Sequence, residues 1–355
     1  MSGLQLTIPT QNNTRPGVKI KPREVGEWLD NLPYLDLRRA AQASSEQLRL
    51  INRQVLGSAA RLEILGHFLR TYHRLNASLP ANPADADSIQ PLLRRLCQDI
   101  GFGYKIVAHG LINKRAGFRE ARNLSLALLG SIFTLGLHLS YYYYAGYQRA
   151  PRALWSECLA LYQYARQSGR QDFSADLPGS GQTQIETAFR LIALLRLADP
   201  YSLQAGMVAA LREYLEARTG LIRIEDTPAS EDSSMPLPGP EQQCDSAQPD
   251  PLHVNLTALI EQLGKDTRQL EQHRQSQTLG LPAEVPAATL LRTLRQVHGL
   301  WQTQQTRGAE RQPAHARIEL VSGLDATYCV LNKGRWFNPA LFLSPAHDDS
   351  IDLGA

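Results

Sequence analysis

Arg307-Gly308-Ala309-Glu310-Arg311 sets two guanidinium groups four positions apart, just ahead of a segment, 314–321, that reads Ala-His-Ala-Arg-Ile-Glu-Leu-Val. That segment alternates and is partly β-branched, as a half-buried strand is. Two guanidiniums leading into a strand can grip a phosphate bidentately and stack on a guanine face. Arg317 would project from the strand itself. The same spacing also suits a solvated turn between a helix and a strand. Pro178-Gly179-Ser180-Gly181-Gln182-Thr183 has the look of a phosphate loop. It lacks the GxxxxGK[ST] spacing and has no lysine to reach a phosphate, so it reads as an ordinary loop. The nine histidines form no HExxH pair, and His109 and His138 fall in apolar segments, where core histidines are expected. No serine stands in GxSxG, and no carboxylate pair sits in a recognisable catalytic setting. The four cysteines, Cys97, Cys158, Cys244 and Cys329, are far apart with no CxxC, which excludes a zinc knuckle or a dithiol redox pair. The reading is non-enzymatic, with no metal and no cofactor. An enzyme built around His109, His138 and the tyrosine run 141–144 is the weaker alternative.

The elements that would carry these residues are mostly helical. Residues 1–21 read as a flexible arm. A helix begins at Pro22, whose fixed φ suits a first helical position, and ends before Pro33. Further helices are predicted over 35–53, 59–79, 89–113, 152–168, 183–197 and 201–218, the last opened by Asp199 as N-cap and Pro200 in the first turn. Between Leu124 and Tyr147 no charged residue occurs, a length that could span a bilayer. Ser125, Ser131, Thr134, His138, Ser140 and four consecutive tyrosines are poor lipid-facing material. Basic residues also flank both ends, so this segment reads as the central helix of a soluble bundle. The four tyrosines cover one turn, so their hydroxyls must point in several directions.

Residues 226–251 hold six prolines among acidic and small polar residues and read as a linker. They separate a helical domain, 22–225, from a two-helix unit, 252–306. Residues 307–355 hold the two arginines, a short strand–turn–strand over 314–331 and a polar tail. The expected fold is mainly α, a helical bundle of antiparallel hairpins with a small C-terminal β-ribbon.

Composition bounds the rest. Apolar residues are 43% and charged residues 20% of 355, values that exclude wholesale disorder, collagen and coiled-coil rod. A net charge of +3 argues against a dedicated nucleic-acid binder. Scattered cysteines and the lack of a basic, then apolar, N-terminal stretch point to a cytoplasmic protein.

Several stretches carry a resemblance. Thr14-Arg15-Pro16-Gly17, Trp28-Leu29, Leu32-Pro33, Phe102-Gly103-Tyr104-Lys105, Tyr147-Gln148-Arg149-Ala150-Pro151, the run from Ala193 to Pro200, and the region from Arg311 to Gly323-Leu324 resemble a group of bacterial proteins. That group has a long N-terminal helical region and a C-terminal PilZ-type domain, and some of its members are described as molecular chaperones. PilZ domains are small β-barrels that bind cyclic di-GMP through RxxxR before the first strand and [DN]xSxxG on the barrel. The resemblance implies that Arg307 and Arg311 hold guanine and phosphate of cyclic di-GMP, while the helical region meets an unidentified protein partner. No [DN]xSxxG follows Arg311, so the chain reads as the helical region plus the lead-in of a truncated or degenerate barrel. A helical adaptor or chaperone-like protein without nucleotide binding is the second expectation.

Overall fold

The computed structural model describes residues 4, 6–12, 18–79, 86, 88–112, 117–227, 234–237, 252–282 and 284–306. Helices dominate: α1 (Pro22–Asp30), α2 (Leu37–Asn52), α3 (Ser58–Ala77), α4 (Gln90–Ile112), α5 (Phe118–His138), α6 (Arg152–Gln167), α7 (Ile185–Leu197), α8 (Met207–Glu216), α9 (Thr257–His273) and α10 (Ala287–Thr306). A π turn (Leu139–Tyr144) continues α5. The mainly α expectation holds. The predicted ribbon over 314–331 lies outside the described residues.

The helices form where the apolar spacing placed them. Pro22 opens α1, and Val25 and Leu29 are buried. Asp36 caps α2, its carboxylate accepting from the Arg39 amide at 3.0 Å. Ala40, Ala41, Leu48 and Ile51 then make the buried stripe of α2, and Leu62, Leu65, Leu69 and Tyr72 that of α3. Arg61, only 1% exposed, turns back onto the end of α2 and donates to the carbonyls of Ile51 and Gln54. A cation is well placed there, against the negative end of the helix dipole. Burial lowers its pKa to about 10.

α5 is the central helix. It packs against α3, α4, α6 and α7. Among the described residues it is the one helix long and apolar enough to cross a membrane, and 83% of that apolar window is buried inside the protein. Its small polar residues satisfy themselves: Ser131 donates to the Ala127 carbonyl, Thr134 to Gly130 and Ser140 to Gly136, each at 2.7 Å. Gly130 lets α4 come close, since a Cβ there would lie 2.5 Å from the Tyr104 ring, which is itself buried.

In the π turn, hydrogen bonds close over five residues, Ala145 to the Ser140 carbonyl at 3.1 Å and Gln148 to Tyr143 at 2.9 Å. The tyrosine hydroxyls fan out as expected. Tyr141 accepts from Arg212 (3.3 Å), Tyr142 bonds Tyr72 (2.9 Å) and Tyr143 accepts from Arg94 (2.8 Å). The Tyr144 ring meets Tyr201 edge to face at 5.5 Å.

Four segments differ from the sequence reading. The described part of the N-terminal segment is tied to the bundle. Leu4 and Leu6 pack on the core, the Thr7 amide donates to Glu157 Oε1 at 2.7 Å, and Asn12 donates to the Arg53 carbonyl. The Pro-Gly-Ser-Gly stretch is the turn of a hairpin, β1 (Ser174–Leu177) with β2 (Gly181–Gln184), antiparallel. Gly179 and Gly181 have φ of +85° and +74°, the left-handed region that only glycine adopts freely. Asp199 is also left-handed (φ 48°) and gives no side-chain cap. The predicted helix over 201–218 is therefore a 3₁₀ turn (Pro200–Ser202) followed by α8, which starts at Met207. Lastly, part of the segment read as a linker is strand. β3 (Arg223–Glu225), β5 (His253–Asn255) and β4 (Ser234–Pro236) form an antiparallel sheet in that order, with Met235 and Leu237 buried. Met235 and Leu237, two positions apart, reach the core from β4 and the residue after it.

α9 packs on α10, and α10 on α8 and β4. All described residues belong to one compact unit, Met1–Arg307, so 22–225 and 252–306 do not stand apart.

Candidate functional site

The link between the π turn and α6 makes a concavity lined by three arginines. Tyr201, on the 3₁₀ turn after α7, anchors that link. Its hydroxyl accepts from the Ala150 amide at 3.0 Å and donates to the Gln148 carbonyl at 3.2 Å. Pro151 is the N-cap of α6; its ring offers no side-chain cap, and its carbonyl accepts from the Leu154 amide at 3.0 Å. Trp155 is buried one turn further on, near-parallel to Phe189 of α7 at 6.0 Å, and Phe189 stacks on Tyr162 at 3.8 Å. This column holds α6 and α7 together. Arg196, at the end of α7, lays its guanidinium over the Trp155 ring at 4.7 Å. Between these elements is a cleft of about 130 Å³, lined among the described residues by Arg149, Arg152, Arg196, Ser156 and Tyr201. The buried hydroxyl of Tyr144 interacts with the Arg196 guanidinium.

A second concavity, about 480 Å³ and more open, sits between the start of α5 and the end of α6, with Phe118, Arg122, Arg170 and Phe173 on its walls.

The core holds ionisable groups of another kind. Lys105 Nζ donates to Glu157 Oε2 at 2.6 Å, with both side chains less than a tenth exposed. Ser45 donates to Asp99 Oδ2 at 3.0 Å. Burial raises the Asp99 pKa to about 6, against smaller opposing pulls from Ser45, Arg95 and Arg49. The folded protein therefore holds this proton more tightly than the unfolded chain does. The associated stability is complete below the unfolded pKa near 4 and is lost as pH rises through 6, a swing of roughly 2–3 kcal/mol. Asp99→Asn removes that loss. Its melting temperature is expected to gain on wild type progressively between about pH 4 and pH 6 and to keep that gain above, and an offset constant with pH would contradict the burial argument.

The residues singled out in the sequence fare unequally. Arg307 and Arg311 lie outside the described residues, as do Arg317, Cys244 and Cys329. His109 is exposed on α4, not in the core. His138 is buried, and burial, followed by the charges of Arg94 and Lys105, lowers its pKa to about 4, so it is neutral at ordinary pH. Burial pushes the Cys97 thiol up to about 12 and Cys158 up as well, leaving both unreactive. Among the described residues no three His, Cys, Asp or Glu gather to hold a metal.

The arginine cleft escaped sequence reasoning because Arg149 and Arg152 meet Arg196 only through the packing of α6 on α7. One local signal was present. Arg152 stands at the first position of α6, a cation on the positive end of a helix dipole, which needs a reason beyond helix stability.

Residues 23–230 match the family model described as the N-terminal domain of the cyclic-di-GMP receptor FimW. Over 375 aligned positions the chain is 26% identical to the cyclic-di-GMP receptor FimW of Pseudomonas aeruginosa; the alignment covers 97% of this chain and 58% of that protein. The chain thus spans a little over half the length of its curated relative. No solved structure matches. With the family model covering most of the helical body, the chain belongs to the FimW N-terminal domain family.

Proposed function

We propose that this protein is a non-enzymatic, cytoplasmic regulator of the cyclic di-GMP type. In this reading Arg307 and Arg311 are a PilZ-like half-site that grips guanine and phosphate, and the helical body is the surface that meets a protein partner. The observation that carries it is the family match over 23–230, joined to a relative named as a cyclic di-GMP receptor and aligned along nearly the whole chain. Two features support it. RxxxR precedes a strand-like segment, the arrangement in which paired guanidiniums meet a phosphate. The long apolar helix is spent on the core of the bundle, so a membrane span is no part of the reading. Nucleic acid is no part of it either, given the modest net charge.

Calorimetric titration of the chain with cyclic di-GMP tests the proposal. Wild type is expected to bind, and Arg311→Ala to bind at least tenfold more weakly, the value of one lost charge-assisted hydrogen bond. Equal heats in the two proteins, or none in wild type, would remove the nucleotide claim and leave a helical adaptor.

A further inference from the structure

The described residues of the segment 4–12 lie on the helical body outside any helix or sheet. Leu4, Leu6, Ile8 and Pro9 are half-buried, while Thr7, Thr10, Gln11 and Asn12 are exposed. Leu4 and Leu6 pack on the core. Such alternation belongs to an extended chain with one face inward, and Pro9 biases Ile8 to the extended region. No strand pairs with the segment among the described residues. Two clasps hold its main chain instead. The Thr7 amide donates to Glu157 Oε1 on α6 at 2.7 Å, and the Asn12 amide donates to the Arg53 carbonyl at the end of α2 at 3.0 Å. The Gln11 side chain adds a longer bond, 3.4 Å, to the Gln54 carbonyl. Glu157 is only 6% exposed, and its other oxygen takes Lys105 Nζ.

We propose that the track under residues 4–12 is the docking groove of the helical body, filled in cis by the chain's own segment. Its occupant in trans is an extended segment of a partner protein with aliphatic side chains two positions apart. This rests on the reading of the helical body as the partner surface and names the place of contact. The segment already seated there shows what the groove accepts. Half-buried positions alternate with exposed ones, so the groove reads every second side chain and leaves the rest free. Glu157 Oε1 is a buried acceptor that must find another N–H once Thr7 leaves, and the amide of an incoming strand supplies one whatever its sequence. Lys105 neutralises Glu157, so that clasp has no net charge to offer a charged occupant. The native segment agrees, for no charged residue precedes Arg15. From Thr7 to Asn12 an extended chain reaches at most about 17 Å, so one short stretch spans both clasps. The hold is also light. Half-buried side chains and two main-chain bonds place the segment at the low-stability end of this fold, and it can lift while the helices stay folded.

The test uses the full chain and its variant Leu4→Asp/Leu6→Asp, which opens the groove and leaves Glu157 in place. The probe is a fluorescent peptide of residues 2–12, acetylated and amidated, followed by anisotropy. Saturable binding is expected in the variant. Wild type should bind at least tenfold more weakly, since its own segment competes at an effective concentration on the order of millimolar. A peptide with the same two substitutions should bind neither protein. Amide exchange on wild type gives an independent reading. The Thr7 amide is expected to exchange at least a hundredfold faster than the core amides of α5, by local opening. Absence of saturable binding in the variant, equal affinity in the two proteins, or Thr7 exchange only through global unfolding overturns the proposal. A protein partner retained equally by wild type and variant would also overturn the groove while leaving the helical body as the partner surface. The two failures are therefore distinguishable.

Discussion

Replacing Glu157 by alanine is expected to destabilise the protein by about 3–5 kcal/mol, the loss typical when one member of a buried ion pair is removed. The pair lies deep, with the Lys105 and Glu157 side chains 4% and 7% exposed and 2.6 Å apart. Without the carboxylate the ammonium keeps the Phe102 ring, 4.9 Å away, as a favourable neighbour. A face of an aromatic ring recovers a fraction of what the carboxylate gave. Glu157 also accepts the Thr7 amide, so the same substitution removes one of the anchors of the N-terminal segment. Against a total stability on the order of 5–15 kcal/mol, this is the difference between a folded and a partly unfolded population at growth temperature. Urea denaturation of Glu157→Ala checks it. The companion variant Lys105→Met/Glu157→Met removes both charges and should recover most of the loss, since two apolar side chains need no mutual neutralisation. A loss below 1 kcal/mol in the single variant would show that water reaches the pair.

Trp301→Ala should cost a similar amount, about 3–5 kcal/mol, from a cavity left by a large buried side chain. Trp301 is fully buried on α10, and its indole Nε1 donates to the Leu197 carbonyl at 3.0 Å. Leu197 ends α7, so this bond supplies a partner to one of the carbonyls that a helix end leaves open. Trp301→Phe keeps most of the apolar burial and should lose about 1–3 kcal/mol for the stranded acceptor. The form of the transition matters as much as its midpoint. If α9 and α10 were a separate unit behind a linker, Trp301→Ala would split unfolding into two steps with the first sensitive and the second not. The packing of α10 on α8 and β4 predicts one transition that shifts as a whole.

Where apolar spacing and capping chemistry act locally, the sequence was enough. The buried stripes of α2 and α3, the Pro22 start and the core role of α5 follow from periods and residue types that need no tertiary knowledge. Trouble came where a short segment borrows its stability. β4 has three residues, and its place depends on β5 and on Met235 reaching the core. Residues 226–251 carry so much proline and acid that composition hides this strand. The hairpin at 174–184 was equally hidden, because Gln182, Thr183 and Gln184 alternate with nothing apolar. Asp199 looked like an N-cap by type, yet its backbone is left-handed and its helix starts eight residues later, at Met207. The arginine cleft is a tertiary object: the positions are legible one at a time, and their convergence is not.

The π turn at Leu139–Tyr144 carries a consequence for the length of the chain there. A hydrogen-bonded ring one residue wider than the α ring is an α-helix with a residue inserted. Taking one residue out would restore ordinary winding, and each residue of ordinary winding rotates the downstream chain by about 100°. Arg212, Tyr72, Arg94 and Tyr201 would then each face a side chain meant for another, and the Gln148–Pro151 link would enter α6 from a different side. How many residues stand between Leu139 and Tyr144 is therefore as much a determinant of this protein as which residues they are; spelling changes should be survivable where counting changes are not.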